Sequence, residues 1–146
     1  MKFTLLTVGK TADARLEALI DEYRERLKHY VPLDTKVVPV SDKQQEGERI
    51  LKAVTPATDL VLLDERGKEY RSIEFADYLQ KKMSAGRDVV FVVGGPFGFS
   101  EAVYARANGQ ISLSKMTFSH QMIRLLFVEQ LYRGMTILRN EPYHHE

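Results

Sequence analysis

The sequence predicts an α/β fold with a mainly parallel sheet flanked by helices. Short apolar runs at 3–8, 59–63 and 88–93 alternate with longer segments whose apolar residues recur every three to four positions. The second and third of these runs are apolar almost throughout, as parallel strands covered on both faces tend to be. The third run stops at Gly94-Gly95-Pro96, and Ser100-Glu101 then starts a helix. Strand, glycine turn, helix is the corner at which α/β sheets carry ligands.

Each element follows from its own residues. Phe3 to Val8 is a strand, and Gly9-Lys10-Thr11 turns the chain. Asp13 is placed to cap a helix whose Leu16, Leu19, Ile20, Tyr23 and Leu27 share one face. The charged residues between them form a solvated face. A second strand covers 36–40, and Pro39 assigns it to a sheet edge because proline cannot donate to a ladder. A polar-sided helix is expected over 45–54, closed by Thr55-Pro56. The third strand, 59–63, ends in the charged turn Asp64-Glu-Arg-Gly-Lys68. Ile73, Phe75, Ala76 and Leu79 mark a helix running to about 83.

After the glycine corner come a short helix near 101–107, a brief strand over 110–113 and a polar loop over 114–119. A long helix then spans about 120–138. One apolar stripe on it joins Ile123, Leu126, Phe127, Leu131, Met135 and Leu138; another joins Leu125, Val128 and Tyr132. A helix apolar on two sides needs two covers. One small sheet supplies a single cover, so a homodimer packed through this helix is expected, with Gly134 letting a partner backbone come close.

Composition narrows the function. The chain has 146 residues, 44% of them hydrophobic and 28% charged, which suits one domain spanning 1–146 with a real core. No apolar run reaches the ~20 residues that cross a bilayer. Met1-Lys2 leads into a run too short for a signal sequence, so the expected location is the cytoplasm. The absence of cysteine excludes a disulfide framework, thiolate metal sites and a cysteine nucleophile. A net charge of +1 argues against a general nucleic-acid binder, which tends to be strongly basic.

Among candidate sites, Gly94 and Gly95 lack a Cβ, so a ligand can lie against bare main chain there. The spacing is neither the dinucleotide fingerprint nor a P-loop, so a flat, largely uncharged group such as a nucleoside suits it better than a phosphate. The 112–119 stretch offers free backbone groups to a ligand, although it also reads as an ordinary connection. His144 and His145 are adjacent and point apart, so no metal site is expected. Ser119-His120 lacks any G-x-S-x-G elbow, which disfavours acyl transfer. At the C-terminus, Tyr143 can stack on a base while Arg133 or Arg139 meets phosphate.

Taken together, four motifs carry a family resemblance. They are Gly-Gly-Pro-x-Gly from Gly94 to Gly98, Leu-Ser-x-Met-Thr-Phe-x-His from Leu113 to His120, Glu129-Gln-Leu-Tyr-Arg133, and the terminal Pro142-Tyr143-His144. The combination resembles the ribosomal RNA large subunit methyltransferase H family of SPOUT methyltransferases over essentially the whole chain. The resemblance implies a SPOUT-type sheet with a C-terminal trefoil knot, a homodimer and S-adenosylmethionine as cofactor. It implies methyl transfer to N3 of a pseudouridine in 23S rRNA on the assembled ribosome. Cofactor positions fall on Leu63, Gly94, Leu113, Ser114, Lys115, Met116, Thr117 and Phe118, and catalytic or substrate positions on His120, Arg133, Tyr143 and His144. Many relatives carry Arg or Lys where this chain has His145, which makes the charge of any contact there pH-dependent. The alternatives are a SPOUT-type tRNA methyltransferase and a non-catalytic module that binds a nucleotide or the ribosome.

Overall fold

The computed structural model describes residues 1–145. The chain runs β1 (Phe3–Val8), α1 (Ala14–Leu27), β2 (Leu33–Val38), α2 (Lys43–Lys52), β3 (Asp59–Glu69) and α3 (Ser72–Ala85). It continues through β4 (Val89–Val93), α4 (Glu101–Arg106), β5 (Gly109–Ser112) and α5 (Met122–Leu138). The strands form one parallel sheet in the order β2-β1-β4-β3-β5.

Alternation along each strand divides the core into two layers. Phe3, Leu5, Val61, Leu63, Val89, Phe91 and Val93 face α1, α3 and α5, where Ile20, Leu79, Phe127 and Leu131 meet them. Leu6, Val8, Leu60, Leu62, Val90 and Val92 face α2 and α4, where Ile50, Phe99 and Val103 pack. Phe127 lies at the centre of the larger layer, its ring 4.8 Å from Phe91 and 6.2 Å from Phe75. Truncating such a buried ring to Ala costs about 3–5 kcal/mol.

The helix starts are capped as their sequences require. Asp13, Asp42 and Ser100 accept from the backbone N–H of Arg15, Gln45 and Val103 respectively. Gly86 ends α3 with φ 74°, and Asn140 follows α5 with φ 56°, both in the left-handed region that closes a helix.

Three sequence expectations change. β2 is an edge strand but ends at Val38, one residue before Pro39. The charged stretch after Leu63 is not a turn that ends β3. The strand bulges between Leu63 and Lys68 and then pairs again, Lys68 with Ile111 and Glu69 with Ser112. α5 packs against α1 and α3 of the same chain, while Ile123, Leu125, Leu126 and Tyr132 on it stay only partly buried. A Cβ on Gly134 would lie 2.8 Å from Leu79 of α3, so the close approach there is intramolecular.

One buried cation ties this architecture to its ligand-bearing end. Arg124 in the first turn of α5 is 1% exposed. Its guanidinium donates to the carbonyls of Val8 (2.9 Å), Gly9 (2.9 Å) and His120 (3.1 Å) and to Thr11 Oγ1 (3.2 Å). Gln121 adds two bonds to the same loop, accepting from Ala12 N and donating to Lys10 O. Replacing Arg124 with Met is expected to cost roughly 3 kcal/mol or more, because each carbonyl left buried and unpaired costs ~1–3 kcal/mol. The shift in urea unfolding midpoint at constant slope measures it.

Candidate active site

A cleft of about 640 Å³ opens at the carboxyl ends of β3, β4 and β5, within the size range of small-molecule sites. Leu63 and Asp64 of β3 and the Gly94–Gly98 turn form one side, and Leu113, Ser114, Met116, Thr117, Phe118 and His120 the other. Seven of the eight expected cofactor positions therefore meet around one space. Lys115 does not line the cleft: its ammonium lies 3.7 Å from the Glu69 carboxylate instead.

Gly94 and Gly95 are closely backed by neighbouring side chains. A Cβ on Gly94 would lie 3.1 Å from the Phe99 ring. A Cβ on Gly95 would lie 3.3 Å from both Glu46 Oε1 and Val8 Cγ1. Gly98 closes the turn with φ 78°, its N–H donating to Gly95 O at 3.1 Å. The facing loop is held by its own hydroxyls. Ser112 Oγ donates to Ser114 O (2.8 Å), Ser114 Oγ accepts from Met116 N (3.0 Å), and Thr117 Oγ1 donates to Glu65 Oε2 (2.6 Å). Phe97 (70%), Met116 (74%) and Phe118 (41%) stand exposed around the cleft, so its rim is apolar.

A polar network on the β3 side escaped the sequence reading. Asp64 accepts from the Tyr104 hydroxyl and from the backbone and side chain of Arg66, whose guanidinium lies over the Tyr104 ring. Burial alone would raise the Asp64 carboxyl, but the Tyr104 and Arg66 bonds hold it below the ordinary value. The residues lie 40 apart, and Asp64 stood in a segment that reads as a turn, so only the fold joins them.

Arg133, Tyr143 and His144 gather elsewhere. The Tyr143 hydroxyl donates to Glu129 Oε2 (2.9 Å) and meets the Tyr23 hydroxyl at 3.1 Å. Arg133 donates to Glu129 Oε2 (2.9 Å), lies 4.8 Å above the Tyr143 ring and reaches His144 Nδ1 at 3.1 Å. Arginine only donates, so Nδ1 accepts in this arrangement. Burial, then the bonds to Tyr23 and Glu129, push the Tyr143 phenol above its ordinary value and keep it protonated. His145 is exposed. Of the four expected catalytic positions, only His120 lines the cleft. The other three do not: Arg133 sits in the second half of α5, and Tyr143 and His144 beyond its end. Arg133 and Tyr143 bond to Glu129, which lines a neighbouring cavity with Leu113, Ser114 and Phe118. Among the described residues no group of three or more acidic, histidine or cysteine side chains is placed to hold a metal, and no helix is long and apolar enough to cross a membrane.

Burial, and then the positive charge of Arg124, hold the His120 imidazole below its ordinary value, with Glu46 opposing. The unfolded chain therefore takes up this proton more readily than the folded one. Its stabilising effect is full above about pH 6.5 and is lost as pH falls toward the folded value. His120→Asn is expected to give a shallower loss of stability between about pH 7 and pH 5, read from urea midpoints across that range.

Comparison with known proteins agrees with this geometry. Residues 1–144 match the family described as "Predicted SPOUT methyltransferase". Proteins named "Ribosomal RNA large subunit methyltransferase H" from Parabacteroides distasonis and Bacteroides thetaiotaomicron are 55% and 54% identical to this chain, and one from Flavobacterium psychrophilum is 50% identical. In each case all of this chain and all of the relative are covered. Among solved structures, the SpoU methyltransferase AviRb from Streptomyces viridochromogenes, crystallised with the cofactor AdoMet, aligns with a TM-score of 0.50 at 14% identity. That alignment covers 90% of this chain and 57% of AviRb, and it bears on the fold alone. Full-length matches at this level of identity place the chain in the SPOUT methyltransferases, as a member of the ribosomal RNA large subunit methyltransferase H family.

Proposed function

We propose that this protein is a cytoplasmic, S-adenosylmethionine-dependent methyltransferase that acts as one domain on 23S rRNA, at N3 of a pseudouridine in the assembled ribosome. The observation that carries the reading is the cleft itself. Leu63, Gly94 and the 113–118 loop, far apart in sequence, line one space whose walls are bare main chain and apolar side chains. Leu63, Leu113 and Phe118 would give apolar contact to an adenine, and the free peptide groups of the two loops would bond its edge. When bound, S-adenosylmethionine supplies a methyl group already activated by a positively charged sulfur.

The chain's own work is positioning and proton handling. Holding both partners in line can supply up to ~7–11 kcal/mol of the barrier. The pseudouridine N3 carries a proton that must leave, and His144 is the candidate to take it at Nδ1. Arg133 now donates to that atom, so His144 becomes a base only when Arg133 turns away. Arg133 turned toward the uracil would stabilise the imide anion. Tyr143, kept protonated, is the candidate stacking ring and hydrogen-bond donor.

Arg133, Tyr143 and His144 do not line the cleft of their own chain, which supports a homodimer. Two α5 helices packed antiparallel would bring the Tyr143 end of one copy beside the His120 end of the other. Ile123, Leu125, Leu126 and Tyr132 of α5 are only partly buried within one chain and are available for that contact. The modest net charge of +1 fits docking on a shaped ribosomal surface rather than attraction to bare RNA.

Tyr143→Ala is expected to leave S-adenosylmethionine binding intact by calorimetry and to lower methylation of ribosomes by about a hundredfold or more. Unchanged turnover would remove Tyr143 from the reaction. Mapping of methylated positions on rRNA and tRNA separates this substrate from the tRNA alternative, and binding without transfer would favour a non-catalytic module. Protein-free 23S rRNA is expected to be a poor substrate in the same assay.

A further inference from the structure

Glu46 is a buried acid that the reaction outlined above does not use. It lies in the first turn of α2 and is 2% exposed. Gly47 beside it lets α2 approach so closely that a Cβ there would lie 2.4 Å from Ser100 Oγ. This approach brings the carboxylate behind the glycine corner. Oε2 accepts from Ser41 N at 2.9 Å. Oε1 is buried without a hydrogen-bond partner, and it lies 3.3 Å from where a Gly95 Cβ would be. Among the described residues Glu46 is in no ion pair. A lone buried charge is costly unless something compensates it. The amino end of α2 and Ser41 N–H compensate only part.

The other charges near the cleft are already engaged. Asp64 is met by Arg66 and Tyr104, and Glu65 by Thr117. Arg124 is spent on three carbonyls and a hydroxyl. His120, across the cleft from Gly95, feels the negative charge of Glu46. The field of Glu46 therefore enters the space through a residue with no side chain to intervene.

We infer that Glu46 is a specificity-determining residue: its uncompensated carboxylate, directly behind Gly95, makes the cleft favour the sulfonium form of the methyl donor over the neutral thioether left after transfer. The inference rests on the S-adenosylmethionine reading and deepens it. It also gives product a reason to leave, since the charge that Glu46 attracts is gone once the methyl has moved.

Calorimetric titration with S-adenosylmethionine and S-adenosylhomocysteine tests it, because both carry the same adenosine and amino-acid ends and differ in the charge on sulfur. The wild-type protein is expected to bind the sulfonium compound more tightly. Glu46→Gln is expected to weaken that compound about tenfold while the thioether changes less than about twofold, the size of one screened charge interaction. Glu46→Asp, which keeps the charge, is expected to keep the preference. Equal loss of both ligands in Glu46→Gln would overturn the inference and assign Glu46 to the amino-acid end or to the scaffold. Should Glu46→Gln fail to fold by thermal melting, the wild-type titrations decide: equal affinities overturn the inference while leaving the cofactor reading intact. Failure of the wild-type protein to bind either compound overturns both.

Discussion

The ligand-bearing end of this molecule depends on one buried guanidinium. Where β1 runs out, its last carbonyls lose the neighbouring strand as partner: that of Val8 depends on Arg124, and that of Gly9 on Arg124 and the Thr7 hydroxyl. Arg124 answers both and also takes the carbonyl of His120. The start of α5 is thereby fixed against the end of β1. Because the 113–119 loop runs directly into that helix start, its position is set by the same contacts. Ser119 contributes as well, its hydroxyl accepting from Met122 N at 3.1 Å.

From that anchored start, α5 runs between α1 and α3 and carries different chemistry at its two ends. The amino end borders a cleft of main chain and apolar walls, suited to a nucleoside-bearing donor. From its middle onward, α5 and the tail after it carry Glu129, Arg133, Tyr143 and His144 in one bonded cluster. Within one chain the Tyr143 hydroxyl also meets that of Tyr23. An acid, a cation and two aromatic groups hold each other there.

Much of the fold was legible because it rests on local rules. Asp13 and Ser100 cap helices where their sequence positions require, and the β1, α1, α3 and α4 segments follow their apolar periodicity closely. The failures share a cause. The stretch after Leu63 is polar and contains a glycine, so it reads as a turn, yet β5 lies beside it and keeps its backbone paired. The two stripes of α5 are met in part by α1 and α3, which the sequence does not reveal, and Ile123, Leu125, Leu126 and Tyr132 stay only partly buried. Gly134 reads as room for a partner, yet its close neighbour is Leu79 of the same chain.

The sequence by itself determined which segments are strands and helices, that glycines stand where β4 ends, and which residue types are present for chemistry. Those properties follow from periodicity, caps and backbone freedom, all of them short-range. Tertiary structure alone decided that Leu63, Gly94 and Phe118 share one cleft while Tyr143 does not. It alone joined Asp64 to Tyr104 and placed Glu46 behind Gly95. Such pairings depend on strand order and helix approach, which arise from the packing of the whole sheet and leave no mark in any local stretch of residues.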